Sequence, residues 1–239
     1  MCESIQGAEA LTLRVIARIY TDFPTKFGVP RQSGLADTPG YIVFEPEYRS
    51  PEALRGIEEF SRLWLIWGFS RSEGKKWSPT VRPPRLGGNE RVGVFATRSP
   101  FRPNPLGLSC VKLLGTRKCP DVGQVLLVEG ADMVSGTPIY DIKPYLPYVD
   151  AYPDAEGGFA HREKEYALQV ELMEPWRSKV PEDKREVLVQ ILSQDPRPSY
   201  QNDPERIYGM EYAGMEVKFR VEGDVLQVCG IYRKLEHER

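Results

Sequence analysis

Nine short runs rich in apolar and β-branched residues constrain the fold of this chain more than any other feature. The runs that predict strands span residues 11–20, 41–45, 61–69, 91–97, 107–114, 124–129, 165–172, 211–221 and 225–232. Helical signals are confined to a short start at Pro51 and a segment over 182–193 that follows Pro181. The proline-containing residues 130–148 are predicted to be loop, and 150–158 a linker. Because strands and helices do not alternate regularly, an antiparallel or mixed β-barrel is favoured over a doubly wound parallel sheet.

The composition argues against several classes of protein. With 239 residues the chain has room for one large domain, or for one domain with a small appendage. We expect no membrane span and no signal peptide, because no apolar run is long enough and the N-terminus lacks a charged-then-apolar order. Four scattered cysteines without a C-x-x-C pair, and only two histidines, argue against a metal site and favour a reducing cytoplasm. A net charge of −2 predicts no general affinity for nucleic acid, so any such contact requires a local basic patch.

The strongest basic patch is the segment over residues 82–105. Its five arginines and one acidic residue give a net charge of +4, and its five prolines exclude helix and central strand from most of it. Guanidinium groups on stiffened loops are suited to binding carboxylate or phosphate. Single arginines here are also explained as surface groups that tie loops together. Asn104, which lies between two prolines, fits either an amide that reads a base edge or a turn cap.

Two further charged segments are candidate sites. In the segment DIKPY (141–145) the aspartate and the lysine share one face of an extended chain, beside an aromatic ring. They fit a proton-accepting carboxylate next to a cation, or a structural ion pair. The loop QDPRPSY (194–200) fits a nucleic-acid contact with a stacking tyrosine, or a brace between domains. Trp64 and Trp67, in the apolar run 61–69, are interpreted as core residues rather than as ligand stackers.

Three segments together resemble the TrmO family (also called TsaA-like or YaeB-like) of S-adenosylmethionine-dependent tRNA methyltransferases. They are residues 81–109, 141–148 and 194–200, and the resemblance extends from Phe27 to the final hairpin. It implies a mainly β protein with some α: a single-sheeted β-barrel methyltransferase domain over 1–155, and a small α+β C-terminal domain over 156–239 that contacts the anticodon stem-loop of tRNA. It also implies a homodimer that methylates N6 of threonylcarbamoyl-adenosine, immediately 3′ of the anticodon in threonine tRNA.

The resemblance implies a cofactor site made of loop residues and strand ends. These residues are Gln32, Ser33, Gly34, Ser70, Arg71, Arg98, Leu108, Glu129, Gly130, Ala131 and Asp132. The residues expected to act on the acceptor are Arg102, Asn104, Asp141, Lys143 and Tyr145. The residues expected to contact tRNA are Arg82, Arg85, Arg197 and Tyr200. No metal site is expected.

The chemistry of methyl transfer explains this choice of residues. Transfer from a sulfonium needs neither metal nor enzyme nucleophile, but it does need alignment of the attacking nitrogen with the methyl carbon. The acceptor nitrogen belongs to a urea-like group and is a poor nucleophile, so a base or a polarising donor would raise its reactivity. Asp141 is the candidate base, and Arg102, then Lys143, the candidate partner for the threonyl carboxylate. The alternatives are a non-catalytic S-adenosylmethionine- and RNA-binding regulator, and a methyltransferase that acts on a protein or a small molecule.

Overall fold

The computed structural model describes residues 10–70, 77–83, 90–159, 166–198 and 203–234. The first eight strands in this part of the chain are β1 (Ala17–Thr21), β2 (Pro39–Phe44), β3 (Arg62–Gly68), β4 (Thr80–Val81), β5 (Val92–Gly93), β6 (Leu106–Cys119), β7 (Gly123–Glu129) and β8 (Thr137–Pro144). Six of them close into an antiparallel barrel in the order β1-β2-β7-β6-β3-β8, while β4 and β5 form a separate ribbon. The prediction of a mainly β protein with a barrel is confirmed.

Alternation along β3 shows how the barrel fills its interior. Leu63, Leu65 and Trp67 point inward and are buried, because successive side chains of a strand lie on opposite faces. Burying each leucine stabilises the barrel by about 1.5–3 kcal/mol. Trp67 is therefore a core residue, as predicted. Trp64 lies on the outer face and is only partly buried, so its assignment to the core is wrong.

Two sequence predictions in the barrel region are corrected by the structure. The strand predicted over 91–97 is limited to β5, because a 3-10 turn at Val94–Ala96 follows it directly. The buried Val94 side chain and a hydrogen bond from the Thr97 hydroxyl to the Val94 carbonyl (2.8 Å) hold this turn. The loop predicted over 130–148 is wrong because it contains β8, which closes the barrel between β1 and β3.

The prolines of β8 explain why this strand was missed. Proline lacks a backbone donor and usually marks a strand edge or a loop. Pro138 is in register only with Arg18 of β1, and Pro144 only with Leu63 of β3. Each proline therefore lies where the strand has a ladder partner on one side, and neither interrupts a doubly paired segment.

The C-terminal part is a mixed four-stranded sheet with helices. The short helix α1 (Pro147–Asp150) precedes this part and lies against the barrel, and the elements of the C-terminal part are β9 (Gln169–Glu171), α2 (Trp176–Lys179), α3 (Glu182–Ser193), β10 (Tyr208–Tyr212), β11 (Met215–Glu222) and β12 (Val225–Arg233). The sheet order is β10-β11-β12-β9, with β9 parallel to β12. The helix predicted over 182–193 is confirmed, and the hairpin predicted over 211–232 forms with one difference. A turn at Ala213 and Gly214, both with positive φ, separates β10 from β11. No helix in the described ranges is long and apolar enough to cross a membrane.

The loop between β1 and β2 joins the two parts of the molecule. Phe23 and Ala36, near its two ends, are buried in the hydrophobic core of the C-terminal sheet. The Phe23 ring contacts that of Tyr212 on β10, with centroids 5.5 Å apart. The barrel has its own core, formed by inward residues of its strands. The linking loop, defined here as residues 22–37, therefore starts and ends on the barrel but packs against the C-terminal sheet.

Candidate active site

The linking loop meets the rim of the barrel at residues 32–34. The Ser33 hydroxyl accepts a hydrogen bond from the backbone N–H of Cys110 on β6, at 3.1 Å. The Gly34 N–H donates to the carbonyl of Gly130, just after β7, at 3.0 Å. The rim is thus assembled from segments that are far apart in sequence.

Two glycines permit this close crossing and leave space beside it. Gly34 and Gly130 both have positive φ, a conformation that favours glycine. A Cβ at Gly130 would lie 3.2 Å from the backbone nitrogen of Gly34, whereas a Cβ at Gly34 would meet no atom within 4 Å. The side of the loop at Gly34 is therefore open and could accommodate a ligand against the backbone.

Arg98 brings a positive charge to the same rim. Its Nη1 donates a hydrogen bond to the side-chain oxygen of Gln32. The amide nitrogen of Gln32 in turn donates to the carbonyl of Arg31, at 2.6 Å. One arginine of the basic segment therefore contacts the linking loop directly.

Asp132 supplies the negative charge of the rim. Its carboxylate accepts a hydrogen bond from the Ser109 hydroxyl at 2.6 Å, and that hydroxyl accepts one from the Trp67 indole at 2.8 Å. Burial raises the pKa of Asp132 above its ordinary value, although Ser109, the Ser33 backbone and the Arg98 charge act against the increase. Within the part of the chain that the structure describes, no cation forms an ion pair with this carboxylate, so a ligand can supply one.

Sequence reasoning missed Ser109 and Trp67 as members of this site. The signal was available in the alternation of β6, where the hydroxyl of Ser109 occupies a buried, inward-facing position between apolar ones. A buried hydroxyl and a buried indole N–H both need partners. Without the register of the strands, the sequence could not show that the indole donates to Ser109 and that Ser109 donates to Asp132.

The remaining predicted cofactor residues lie in different surroundings. Glu129 on β7 forms an ion pair with Lys112, its neighbour in register on β6 (2.8 Å). Ala131 is buried, and its carbonyl accepts the hydroxyl of Thr38. Leu108 and Ser70 are exposed. Arg71 lies outside the described residues.

The outer face of the barrel connects this rim to the acceptor residues. In register across β6, β3 and β8 lie one row of Leu108, Ile66 and Asp141 and a second row of Cys110, Trp64 and Lys143. Neighbouring strands are about 4.8 Å apart, so Leu108 and Asp141 are separated by roughly 10 Å. Leu108, one of the predicted cofactor residues, therefore shares the outer surface with the predicted acceptor residue Asp141.

Asp141 and Lys143 form an exposed ion pair on that surface. The lysine Nζ lies 2.9 Å from Asp141 Oδ2, and Asp141 Oδ1 accepts the N–H of Ile142 at 2.9 Å. An exposed pair of this kind contributes little to stability, about 0–1 kcal/mol. Both charged groups are therefore accessible to a ligand.

Trp64, which the sequence analysis placed in the core, lies on this outer face. Its indole N–H donates to Asp150 Oδ2 at 3.0 Å, and its ring lies 5.8 Å from that of Tyr145. The carboxylate of Asp150 also accepts the N–H of Leu146, so α1 fixes the orientation of the indole. A partly exposed, oriented aromatic ring thus lies between Cys110 and Lys143 in the second row.

The other predicted acceptor and tRNA residues are distributed as follows. Arg102 Nη1 donates to the carbonyl of Thr97 at 3.0 Å, which ties its loop together. The carbonyl of Asn104 accepts the N–H of Leu106 at 2.7 Å, in a tight turn before β6. Arg82 is exposed, whereas Arg85 and Tyr200 lie outside the described residues.

Arg197 lies in a buried ion pair with Asp195. Its Nε and Nη2 donate to the two carboxylate oxygens at 2.8 and 2.9 Å, and the side chain of Arg197 is only 8% exposed. The Tyr166 hydroxyl donates to the same carboxylate at 3.1 Å. Burial tends to raise the pKa of Asp195, but its hydrogen bonds and charge pairing with Arg197 outweigh burial and lower it.

The chain matches family models, curated proteins and solved structures. Residues 18–151 match the family model described as the tRNA-methyltransferase O N-terminal domain, and residues 163–234 match the TrmO C-terminal domain. A tRNA (adenine(37)-N6)-methyltransferase of Escherichia coli K12 is 39% identical over 215 residues, covering 86% of this chain and 91% of that protein. A protein of the same name from Eikenella corrodens is 48% identical over 168 residues, covering 68% and 92%. The crystal structure of TrmO from P. aeruginosa superposes with a TM-score of 0.77 at 32% identity, covering 96% of this chain and all of that one.

The barrel with its rim site and these matches together define a class, the tRNA methyltransferases built on a β-barrel. The chain belongs to the TrmO family. The resemblance drawn from the three sequence motifs is confirmed.

Proposed function

We propose that this protein transfers a methyl group from S-adenosylmethionine to N6 of threonylcarbamoyl-adenosine at position 37 of threonine tRNA. The observation that carries the proposal is the convergence of residues 32–34, Arg98 and Asp132 at one rim of the barrel. That rim adjoins the outer face where Asp141 and Lys143 lie. Cofactor and acceptor groups thus share a surface on which a methyl donor and a base can meet.

The rim fits the polar groups of S-adenosylmethionine. Arg98 offers a guanidinium for the carboxylate of the methionine part, and Asp132 an acceptor for its ammonium group or for a ribose hydroxyl. The open side of Gly34 provides backbone at which the adenosine can lie. When bound, S-adenosylmethionine supplies an electrophilic methyl group. Ser70, Arg71, Leu108, Glu129 and Ala131 stay predictions as further contacts.

The outer face fits the acceptor. Trp64, held by Asp150, presents a partly exposed ring on which the adenine of the acceptor stacks. Asp141 removes or polarises the proton on the urea nitrogen, and Lys143 or Arg102 pairs with the threonyl carboxylate. Asn104, Tyr145, Arg82, Arg85 and Tyr200 stay predicted contacts of the acceptor or of the tRNA. For Arg197 we adopt the bracing alternative, because its guanidinium is buried against Asp195.

A homodimer is the second part of the proposal. Pro138 is buried within β8 and adds nothing to the exposed apolar surface. Apolar residues nevertheless lie exposed on the outer face and α1, among them Leu108 (54% exposed), Leu114 (51%) and Tyr148 (83%). A second copy that covers these residues would remove them from water. A monomer in light scattering at micromolar concentration would contradict this part. We also propose a cytoplasmic location, where tRNA is modified, and a domain division near residue 155.

Calorimetric titration of S-adenosylmethionine tests the cofactor site. We expect Arg98→Ala to weaken binding by about 10-fold or more, since a charge-assisted hydrogen bond is lost. Arg220→Ala is the matched control, because Arg220 is exposed on β11, where its guanidinium donates hydrogen bonds to the side chain of Gln227. Equal affinity in wild type and Arg98→Ala would remove Arg98 from the site. Binding without methylation of any tRNA would favour the regulator.

A further inference from the structure

The linking loop is fastened at both ends to helix α3. Lys184 Nζ lies 2.5 Å from Asp22 Oδ2 at one end. At the other end Gln190 accepts the N–H of Asp37 and donates to its carboxylate, both at 2.8 Å. The loop that carries residues 32–34 is therefore anchored on the C-terminal part as well as on the barrel.

The middle of the loop is fastened by Arg31. Its Nη2 donates to the carbonyl of Asp195 at 3.0 Å and to that of Arg197 at 3.4 Å. Arg31 precedes Gln32 in the chain, and its own carbonyl accepts the amide of Gln32, whose oxygen is bound by Arg98. A continuous set of polar contacts thus runs from the C-terminal part to the rim of the barrel.

The acceptors of Arg31 are held in place by the buried ion pair. Arg197 donates to both carboxylate oxygens of Asp195, its backbone N–H also donates there at 3.3 Å, and Tyr166 adds a further hydrogen bond. Asp195 adopts a positive φ of 50°, which turns the backbone sharply at this point. The geometry of the loop over 195–197 is set by these contacts, so the two carbonyls have defined positions.

We propose that Arg31 is a positioning residue for the cofactor site, and that the ion pair of Asp195 and Arg197 acts on residues 32–34 through it. The inference rests on the proposed function of those residues. The C-terminal part then orders the cofactor loop, in addition to any contact that it makes with tRNA. Loss of Arg31 should raise the KM for S-adenosylmethionine, because the loop must be ordered on binding. It should leave the KM for tRNA and the kcat at saturating cofactor close to their wild-type values.

Steady-state kinetics and calorimetry with S-adenosylhomocysteine test this assignment on the full chain. We expect Arg31→Ala to raise the KM for S-adenosylmethionine and the Kd of S-adenosylhomocysteine by about 10-fold. Arg31→Lys, which keeps a cationic donor, should recover part of the loss. Lys184→Ala is the matched control, because it releases one end of the same loop away from residues 32–34. It should change both constants by less than about 2-fold, a shift within the scatter of surface substitutions.

Three outcomes would overturn the positioning role. They are wild-type affinity in Arg31→Ala, an equal loss in Lys184→Ala, and a fall in kcat at saturating cofactor without a change in KM. If Arg31→Ala does not fold, Asp195→Asn replaces it, and an unchanged KM in that folded variant would also overturn the role. The proposed function fails separately, if the wild-type protein itself binds neither S-adenosylmethionine nor S-adenosylhomocysteine.

Discussion

Asp132 is partly buried and Asp195 is buried, but their pKa values shift in opposite directions. Asp132, at the rim of the barrel, accepts a hydrogen bond from the Ser109 hydroxyl, and burial raises its pKa although this bond and the charge of Arg98 oppose the increase. Asp195, in the C-terminal part, accepts hydrogen bonds from Nε and Nη2 of Arg197, and its pKa is lowered despite its burial. A carboxylate whose pKa is raised by burial costs stability when it is charged and favours a ligand that brings a donor or a cation. A satisfied one braces its loop. The contrast is between the proposed cofactor site and a structural ion pair.

The largest effect is expected for the buried ion pair of Asp195 and Arg197. Asp195→Ala leaves the guanidinium of Arg197 buried without its partner, which should lower the free energy of unfolding by about 3–5 kcal/mol. Urea denaturation measures the change. Asp141→Ala is the control, because it removes an exposed ion pair and should cost no more than about 1 kcal/mol. Equal losses in the two variants would abolish the distinction between the two kinds of pair.

An effect of intermediate size is expected for Trp64, which lies on the outer face in the proposed acceptor site. Trp64→Ala should lower kcat/KM for modified tRNA by about 5- to 150-fold, since base stacking contributes roughly 1–3 kcal/mol. Its affinity for S-adenosylmethionine should be unchanged. Trp64→Phe retains a ring and should recover much of the loss. Wild-type kcat/KM in the alanine variant would show that no base stacks there.

Asp132→Asn should change stability and binding in opposite directions. The amide removes a desolvated charge while keeping an oxygen for Ser109, so the free energy of unfolding at pH 7 should rise by about 0.5–1 kcal/mol. The affinity for S-adenosylmethionine should fall about 10-fold, because a charged acceptor is lost. Denaturation and calorimetry on the same preparation measure both. A variant that loses both stability and affinity would show that Asp132, like Asp195, stabilises the fold.

The smallest effects are differences in pH dependence. The folded pKa of Asp132 is raised above the ordinary 3.8, so its ionisation costs stability as pH rises through that folded value. The gain from Asp132→Asn should therefore vanish below about pH 3.8. The folded pKa of Asp195 is lowered, so its contribution is present above 3.8 and is lost as pH falls through the folded value. The deficit of Asp195→Ala should accordingly shrink in acid. Denaturation curves between pH 3 and 7 distinguish the two signs.

The sequence predicted regular elements better than it predicted the environments of single side chains. Helix α3 was located correctly because Pro181 and the acidic first turn mark its start. Strand β8 was missed because Pro138 and Pro144 are tolerated only through one-sided pairing, which is a property of the sheet as a whole. Local signals suffice for the first kind of element and fail for the second.

The site was predicted in outline for a similar reason. Residues 32–34, Arg98 and Asp132 were named through motifs, and the structure brings them together. The opposite pKa shifts of Asp132 and Asp195 could not be predicted from the sequence. Asp132 is bonded by Ser109, which is distant in sequence, and the contact of Asp195 with Arg197 depends on the fold of their loop. Likewise the outward orientation of Trp64 requires the register of β3 with its neighbours.

Methylation of defined RNA tests the central claim most directly. The purified protein is incubated with S-adenosylmethionine and threonine tRNA, with and without the threonylcarbamoyl group on the adenosine at position 37, and the nucleosides are analysed by mass spectrometry. We expect one added methyl group on N6 of the modified nucleoside, and turnover on the unmodified tRNA lower by about 10-fold or more, because a guanidinium or ammonium aimed at the threonyl carboxylate is then unpaired. No methylation of the modified tRNA, or equal turnover on both, would contradict the account.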